Sequence, residues 1–271
     1  MKYWRQNIRE QAVLYLVAVL LALAVKHHYS RACPEDLDWI LKPTAGLASF
    51  LCGDDFLFET GKGYVCHVRR VIIAPACAGV NFMLMVFGMA VFTGLHHMRG
   101  TRHGLVWLVF SLSAAYALTL AVNTLRILVS IHTLAAGIAG TESGWEQVHR
   151  LEGVVIYFFF QYLFYSMIQK IIQLYTADET TPESVSRIRL TGPGKTIRGS
   201  LFSGATPCAW YLGVTLAVPL LNGAAGRYGS RFYEHAAMVL GLCLAAWTGI
   251  IVIGFCGRWM RLLFSGGLSK R

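Results

Sequence analysis

Long apolar runs alternate with polar segments along the whole chain and determine its predicted architecture. Each run approaches the roughly 20 residues that a helix needs to cross the hydrocarbon core of a bilayer. Two shorter apolar pieces, 39–53 and 127–140, are candidates for re-entrant or interfacial segments. We predict an all-α fold, a polytopic transmembrane helical bundle of about six spans, or about eight if the short pieces cross. The six runs cover approximately 10–26, 71–95, 105–125, 153–173, 206–222 and 236–256.

Composition supports a membrane protein. The chain of 271 residues is 55% hydrophobic and only 14% charged, with a mean hydropathy of +0.52. A soluble domain carries about a quarter charged residues. The net charge of +10 comes from basic clusters between apolar runs, without an accompanying aromatic-basic groove pattern. We therefore expect membrane lipids, and no nucleic acid, as partners.

The distribution of charge predicts the orientation of the spans. Basic residues concentrate at the two termini, in the loop "HHMRGTRHG" and in 174–205, which marks this side as cytoplasmic. Most acidic residues lie on the other side, in 27–70, 126–152 and 223–235. The basic N-terminus followed by an apolar run resembles a signal peptide without a cleavage site, so we interpret it as a retained first span. Both termini are predicted to be cytoplasmic.

We predict one integral membrane domain over 1–271, with 174–205 as a cytoplasmic loop. Of the seven cysteines, Cys33, Cys52 and Cys66 flank a polar segment and could pair in an oxidising compartment, but their spacing leaves this open. The other cysteines in or beside apolar runs are predicted packing residues: Cys208, Cys243 and Cys256. No group of histidine, cysteine and carboxylate has zinc-ligand spacing, so we expect neither metal nor cofactor.

Cys77 lies in "APACAGVNFM", at the start of an apolar run. A buried cysteine is usually a small hydrophobic packing residue. Here, however, Pro75 suits the first turn of a helix, and the partial positive charge of a helix N-terminus favours a thiolate. Gly79 lets another part of the chain approach closely. The segment therefore predicts a reactive cysteine.

Arg126 lies in "NTLRI", three residues after Asn123 on the same predicted helix face. A continuous helix over 105–140 would be about 54 Å long, well beyond the bilayer. We therefore predict a bend near Arg126 that turns its guanidinium into the protein. The alternative is an arginine that extends to the lipid headgroups.

His149 and Glu152 precede the run 153–173 in "EQVHRLEG". A histidine at this boundary can act as a general base; weaker candidates for the same role are His67, His132 and His235. In the predicted topology, Cys77, Arg126 and His149 meet at one membrane face. A nucleophile, a charge stabiliser and a base are the parts that acyl transfer needs.

Three pieces in this order, "PACAG", "NTLRI" and His149 four residues before Gly153, resemble the exosortase/archaeosortase family of polytopic cysteine transpeptidases. The extended cysteine segment most resembles the exosortase K branch. The family's cysteine motif is Ala-Cys-Ser-Gly, and Ala78 stands in place of its serine here. The resemblance covers about 71–173, the predicted catalytic core.

The resemblance implies an enzyme of a prokaryotic cytoplasmic (inner) membrane with its active site on the extracytoplasmic side. Its substrates would be exported proteins with a C-terminal motif, a transmembrane helix and a basic tail. Cys77 would form a thioester with the cleaved substrate, which then passes to a lipid or amine acceptor. Arg126 would stabilise the oxyanion or orient the substrate, and His149 would move protons. From helical phase, we expect Asn123 to position Arg126. Glu152 is the residue expected to orient His149.

Other classes of membrane protein remain open from the residues alone. A transporter or channel would require an ionisable group near mid-membrane or broken helices, and no Asp or Glu lies in the interior of a predicted span. A membrane thiol-disulfide oxidoreductase would require cysteine pairs, for which Cys33, Cys52 and Cys66 are candidates without a CxxC motif. A structural membrane subunit would leave Cys77, Arg126 and His149 unexplained as a set.

Overall fold

The structure, a computed structural model, describes residues 2–137, 142–177, 205–221, 226 and 229–265. It is mostly helical, as predicted, and divides into two compact units, Met1–Gln173 and Leu174–Arg271. The predicted catalytic core falls in the first unit. The helices are α1 (Lys2–Arg31), α2 (Asp38–Cys52), α3 (Val80–Gly94), α4 (Gly100–Ala135), α5 (Glu142–Ala177), α6 (Ala205–Leu220) and α7 (Ser230–Ser265).

Four helices in the described part of the chain are long and apolar enough to cross a membrane. These segments are Gln11–Arg31, Pro75–His97, Gly100–Ala135 and Gln147–Thr176. They coincide with the first four predicted spans and indicate a membrane protein. The remaining predicted spans coincide with α6, a shorter apolar helix, and with α7. The total of six spans stays a prediction.

Helix α3 forms the centre of the first unit. It is apolar on most of its surface, and most of its side chains, including Phe82, Phe87 and Met89, are buried, as expected for a helix enclosed by others. Helices α1 and α4 both pack against α3. By contrast, α1 exposes Leu16 and Leu20 among other apolar side chains. Such an outward apolar face suits contact with lipid.

A three-stranded antiparallel sheet precedes α3, which the all-α prediction did not include. Its strands are β1 (Leu57–Glu59), β2 (Gly63–Cys66) and β3 (Val71–Ile73), in the order β1-β2-β3. Strand β3 is the beginning of the apolar run that we predicted as one span over 71–95. Its three residues are all apolar and β-branched. So short an apolar run does not by itself distinguish a strand from the first turn of a buried helix.

The two short apolar pieces are both helical. The piece at 39–53 is α2, whose Trp39 ring stacks on Tyr116 of α4 at 6.0 Å between ring centroids. Most of the piece at 127–140 simply continues α4 to Ala135, so the predicted bend near Arg126 is wrong. Neither glycine nor proline occurs between residues 105 and 135, and nothing therefore interrupts the helix.

The cysteines of the polar segment are free thiols in the structure. Cys33 is exposed and Cys66 is buried in β2, with Cys52 between these extremes. Cys208 and Cys243 are buried, as expected of packing residues. The side chain of Cys256 and the predicted loop 174–205, apart from its two ends, lie outside the described residues.

A prediction for packing concerns Gly94, at the end of α3. A Cβ atom there would overlap the indole of Trp107, a buried ring whose Nε1 donates to the Ala90 carbonyl. We expect Gly94→Ala to lower the free energy of unfolding by about 1–3 kcal/mol through overpacking. The control is Gly46→Ala in α2, where no atom lies within 4 Å and the gain in helix propensity is up to about 1 kcal/mol. Thermal denaturation in detergent measures both, and equal stabilities would contradict this packing.

A second prediction concerns Tyr64, which ties the sheet to α2 by donating to Asp38 Oδ1. Burial, reinforced by this hydrogen bond, raises the pKa of Tyr64 to about 12. The neutral phenol is therefore favoured in the folded protein. Its stabilising effect is complete below the ordinary tyrosine pKa of about 10 and is lost as pH rises through the raised value. In an ultraviolet titration, Tyr64→Phe should remove ionisation near pH 12. If Tyr64→Phe instead loses a tyrosine ionisation near pH 10, the raised pKa of Tyr64 is contradicted.

Candidate active site

Cys77 lies in a tight turn between the sheet and α3. After β3, the segment Pro75–Cys77 forms one turn of 3-10 helix, and α3 begins only at Val80. Cys77 therefore lies in the first turn of the apolar segment Pro75–His97, as predicted, but this turn is a 3-10 helix that the left-handed Gly79 separates from α3. The Tyr29 hydroxyl of α1 donates to the Pro75 carbonyl at 3.3 Å and fixes the turn from outside.

Gly79 satisfies two constraints at once. Its φ of +71° lies in the left-handed region, which side chains with a Cβ rarely adopt. A Cβ atom would also lie 3.1 Å from the Thr119 methyl group and 3.5 Å from the Tyr157 hydroxyl. The glycine thus allows side chains of α4 and α5 to reach the turn that carries Cys77.

Asn123 connects α4 to this turn. Its buried amide donates to the carbonyl oxygen of Cys77, and its Oδ1 accepts a hydrogen bond from the Tyr157 hydroxyl at 3.0 Å. Arg126 Nη1 donates to the same hydroxyl at 3.2 Å. In the described contacts, Asn123 and Arg126 are therefore linked through Tyr157, on a neighbouring helix.

Arg126 and His149 are in direct contact. Arg126 Nη2 lies 2.9 Å from His149 Nε2. A guanidinium can only donate, so this imidazole nitrogen accepts with its lone pair. Gly153, one turn after His149, provides the space, since a Cβ there would lie 3.0 Å from Arg126 Nε. The guanidinium indeed faces the protein, although α4 does not bend.

Glu152 reaches His149 through a third residue. Ser130 Oγ lies 2.8 Å from His149 Nδ1 and donates to Glu152 Oε2 at 3.0 Å. The direct distance from His149 Nδ1 to Glu152 Oε2 is 4.0 Å, too long for a hydrogen bond. Thr133 donates to the other carboxylate oxygen of Glu152. His149 lies inside α5, which begins at Glu142, whereas the sequence predicted it just before a helix.

The Cys77 thiol belongs to the same cluster. It is partly exposed and lies within electrostatic range of the Arg126 guanidinium and of the phenols of Tyr29 and Tyr157. The structure thus gathers all five predicted site residues at one end of the helices of the first unit. They come from the 3-10 turn (Cys77), from α4 (Asn123, Arg126) and from α5 (His149, Glu152).

The competing histidines make other contacts. His67 pairs with Glu59 at 2.9 Å beside the sheet, and His132 Nδ1 lies 2.7 Å from the Leu128 carbonyl of its own helix. His235 belongs to the second unit. Among the described residues, no group of three or more histidine, cysteine or carboxylate side chains is placed to hold a metal ion.

The structure adds three residues to those predicted from the sequence: Tyr157, Ser130 and Thr133. Helical spacing carried a signal for them: Ser130 follows Arg126 by one turn and Thr133 follows by nearly another, which places all three on one face of α4. Tyr157 follows His149 and Gly153 at the same spacing on α5. These hydroxyl residues lie in apolar surroundings, where composition alone favours a packing role.

No protein-family model matches the chain, and comparisons with curated proteins and with solved structures give no significant match. The resemblance to the exosortase/archaeosortase family therefore rests on the three motifs and on the order in which they occur.

The hydroxyl of Tyr157 gives a testable prediction. Tyr157→Phe keeps the ring that stacks on Phe82, with 4.6 Å between the ring centroids. It removes the hydroxyl to which Arg126 Nη1 donates and from which Asn123 Oδ1 accepts. We expect the free energy of unfolding to fall by about 1–3 kcal/mol, which is the cost of leaving buried polar groups unpaired. The control is Tyr162→Phe on the same helix, at a half-buried position outside the cluster. Thermal denaturation in detergent distinguishes the two, and an undiminished stability of Tyr157→Phe would contradict the bridging role.

Proposed function

We propose that this protein is a membrane-embedded cysteine peptidase and transpeptidase that cleaves the C-terminal sorting signals of exported proteins. The observation that carries the proposal is the convergence of Cys77, Arg126 and His149 at one end of a bundle of apolar helices. The motif resemblance supports the same assignment. A structural subunit would have no need of a partly exposed thiol within electrostatic range of a guanidinium that is itself hydrogen-bonded to an imidazole.

In the proposed reaction, Cys77 Sγ attacks the scissile carbonyl carbon of the substrate. The Arg126 guanidinium turns so that Nη2 leaves His149 Nε2 and its N–H groups donate to the developing oxyanion, which frees the lone pair of Nε2. His149 Nε2 then takes the thiol proton and transfers it to the leaving amine as the carbon–nitrogen bond breaks. The product is a thioester between Cys77 and the N-terminal part of the substrate.

The second half of the reaction resolves the thioester. An acceptor amine, free or on a lipid, attacks the thioester carbonyl while His149 removes its proton. The carbon–sulfur bond breaks, and the Cys77 thiolate recovers its proton from His149. Transfer to an amine and hydrolysis by water differ only in the attacking group. This scheme uses the chain's own side chains and needs neither a metal nor a cofactor.

The position of the site along α4 fits a substrate held in the membrane. From Leu105 to Arg126 the helix advances about 32 Å, close to the roughly 30 Å thickness of the hydrocarbon core. Arg126 would therefore lie near one membrane boundary, which the distribution of charged residues predicts to be the extracytoplasmic one. A substrate with its own transmembrane helix would diffuse in two dimensions and present its motif at a fixed depth, which raises its effective concentration.

A transporter is the second candidate, because the candidate span Gln147–Thr176 contains His149 and Glu152. Ionisable groups within a span often mark an ion or substrate path. Glu152 lies outside the span predicted from the sequence, 153–173, but inside this candidate span. The two candidates differ in their use of Cys77, since a path lined by Arg126, His149 and Glu152 has no need of a thiol.

The test uses the full chain in its membranes with an exported protein that bears a C-terminal helix and a basic tail. We expect wild type to shorten this substrate on a gel and both Cys77→Ala and Cys77→Ser to reduce processing by at least about a hundredfold, because the nucleophile is lost. Cys33→Ala removes an exposed thiol outside the site and serves as the control. Full processing by Cys77→Ala would overturn the proposal, and Cys77-independent solute flux would favour the transporter.

A further inference from the structure

The donors and acceptors around His149 allow one consistent assignment of protons. Arg126 Nη2 donates to His149 Nε2 at 2.9 Å, so Nε2 has no proton. In a neutral imidazole the proton then lies on Nδ1, 2.8 Å from Ser130 Oγ. The Ser130 hydroxyl donates to Glu152 Oε2 at 3.0 Å, which leaves its oxygen free to accept from Nδ1–H. Every hydrogen bond in this chain points from Arg126 toward Glu152.

Ser130 lies within this series of hydrogen bonds, but it is not among the site residues predicted from the sequence and has no role in the proposed mechanism. It is 5% exposed and lies on α4 one turn after Arg126, facing His149 and Glu152 on α5. Because Glu152 is 4.0 Å from His149 Nδ1, the carboxylate depends on the serine hydroxyl to influence the imidazole. Thr133 donates to the second oxygen of Glu152 and keeps the carboxylate in place.

We propose that Ser130 is a positioning residue that couples Glu152 to His149 and holds the imidazole as the Nδ1–H tautomer. Its contribution to catalysis rests on the proposed function. When His149 Nε2 takes the thiol proton, the imidazolium keeps its Nδ1–H bond to Ser130, and Glu152 balances the new charge. Without the hydroxyl, Nδ1–H loses its acceptor and the ring loses its fixed orientation.

The direct test is nuclear magnetic resonance of the full chain in detergent, labelled with ¹⁵N-histidine. The His149 signals are assigned among the nine histidines by their loss in His149→Gln. We expect a protonated, exchange-protected Nδ1 and a bare Nε2 in wild type. Ser130→Ala should lose the protected Nδ1–H signal, and Ser130→Thr, which keeps a hydroxyl, should retain it.

The matched control is Ser111→Ala on the same helix. Ser111 is also buried, but its hydroxyl has no hydrogen-bond partner among the described residues. Its substitution should leave the His149 signals unchanged. A wild-type spectrum with the proton on Nε2 would overturn the assignment, whether or not any variant folds. An unchanged Nδ1–H signal in folded Ser130→Ala would overturn the role of Ser130.

Substrate processing supplies the second readout. We expect Ser130→Ala to lower kcat by at least about tenfold with KM nearly unchanged, since it disturbs a general base and not substrate contacts. Ser130→Thr should restore most of the rate. Processing that depends on Cys77 but not on Ser130 would overturn this inference alone. The predicted tautomer without any processing would overturn the proposed function alone.

Discussion

A guanidinium between apolar helices must find acceptors, and the candidate site follows from how Arg126 finds them. A charged arginine costs roughly 2.5–3.5 kcal/mol at the centre of a membrane helix on insertion scales, and less near a membrane boundary, where the proposed topology places Arg126. Its two described hydrogen bonds go to His149 Nε2 and the Tyr157 hydroxyl, both on α5. Arg126 therefore fixes how α5 faces α4 at this end, and Gly153 is the residue that lets the helices approach.

The same interaction extends to Cys77, the proposed nucleophile. Tyr157 passes the contact from Arg126 to Asn123, and the Asn123 amide holds the backbone of Cys77. On the opposite side, Tyr29 of α1 and strand β3 restrain the turn before α3. A thiol that protrudes from a turn fixed on several sides has a defined position. Such preorganisation is what covalent catalysis requires of its nucleophile.

Sequence predicts the residues of this site better than its geometry. Cys77, Arg126 and His149 are identifiable from local motifs, and helical spacing correctly associates Asn123 with Arg126's face of α4. The predicted bend near Arg126 is absent, and α4 is continuous. A helix longer than the bilayer is thick can project beyond it or tilt within it, so its length does not require a bend. Strand β3 was missed because its apolar residues join those of the following helix without a polar break. The role of Ser130 depends on a contact between helices, which no single-chain pattern contains.

The measurement that tests the central claim most directly is the intact mass of the protein after incubation with an exported substrate. We expect His149→Ala to slow the resolution of the thioester more than its formation, so that the thioester accumulates. We then expect an adduct equal in mass to the N-terminal part of the substrate, attached to the peptide that contains Cys77 and released by hydroxylamine, as a thioester is. An adduct on another residue would contradict a thioester on Cys77. Processing by wild type would also contradict it if neither wild type nor His149→Ala carries an adduct.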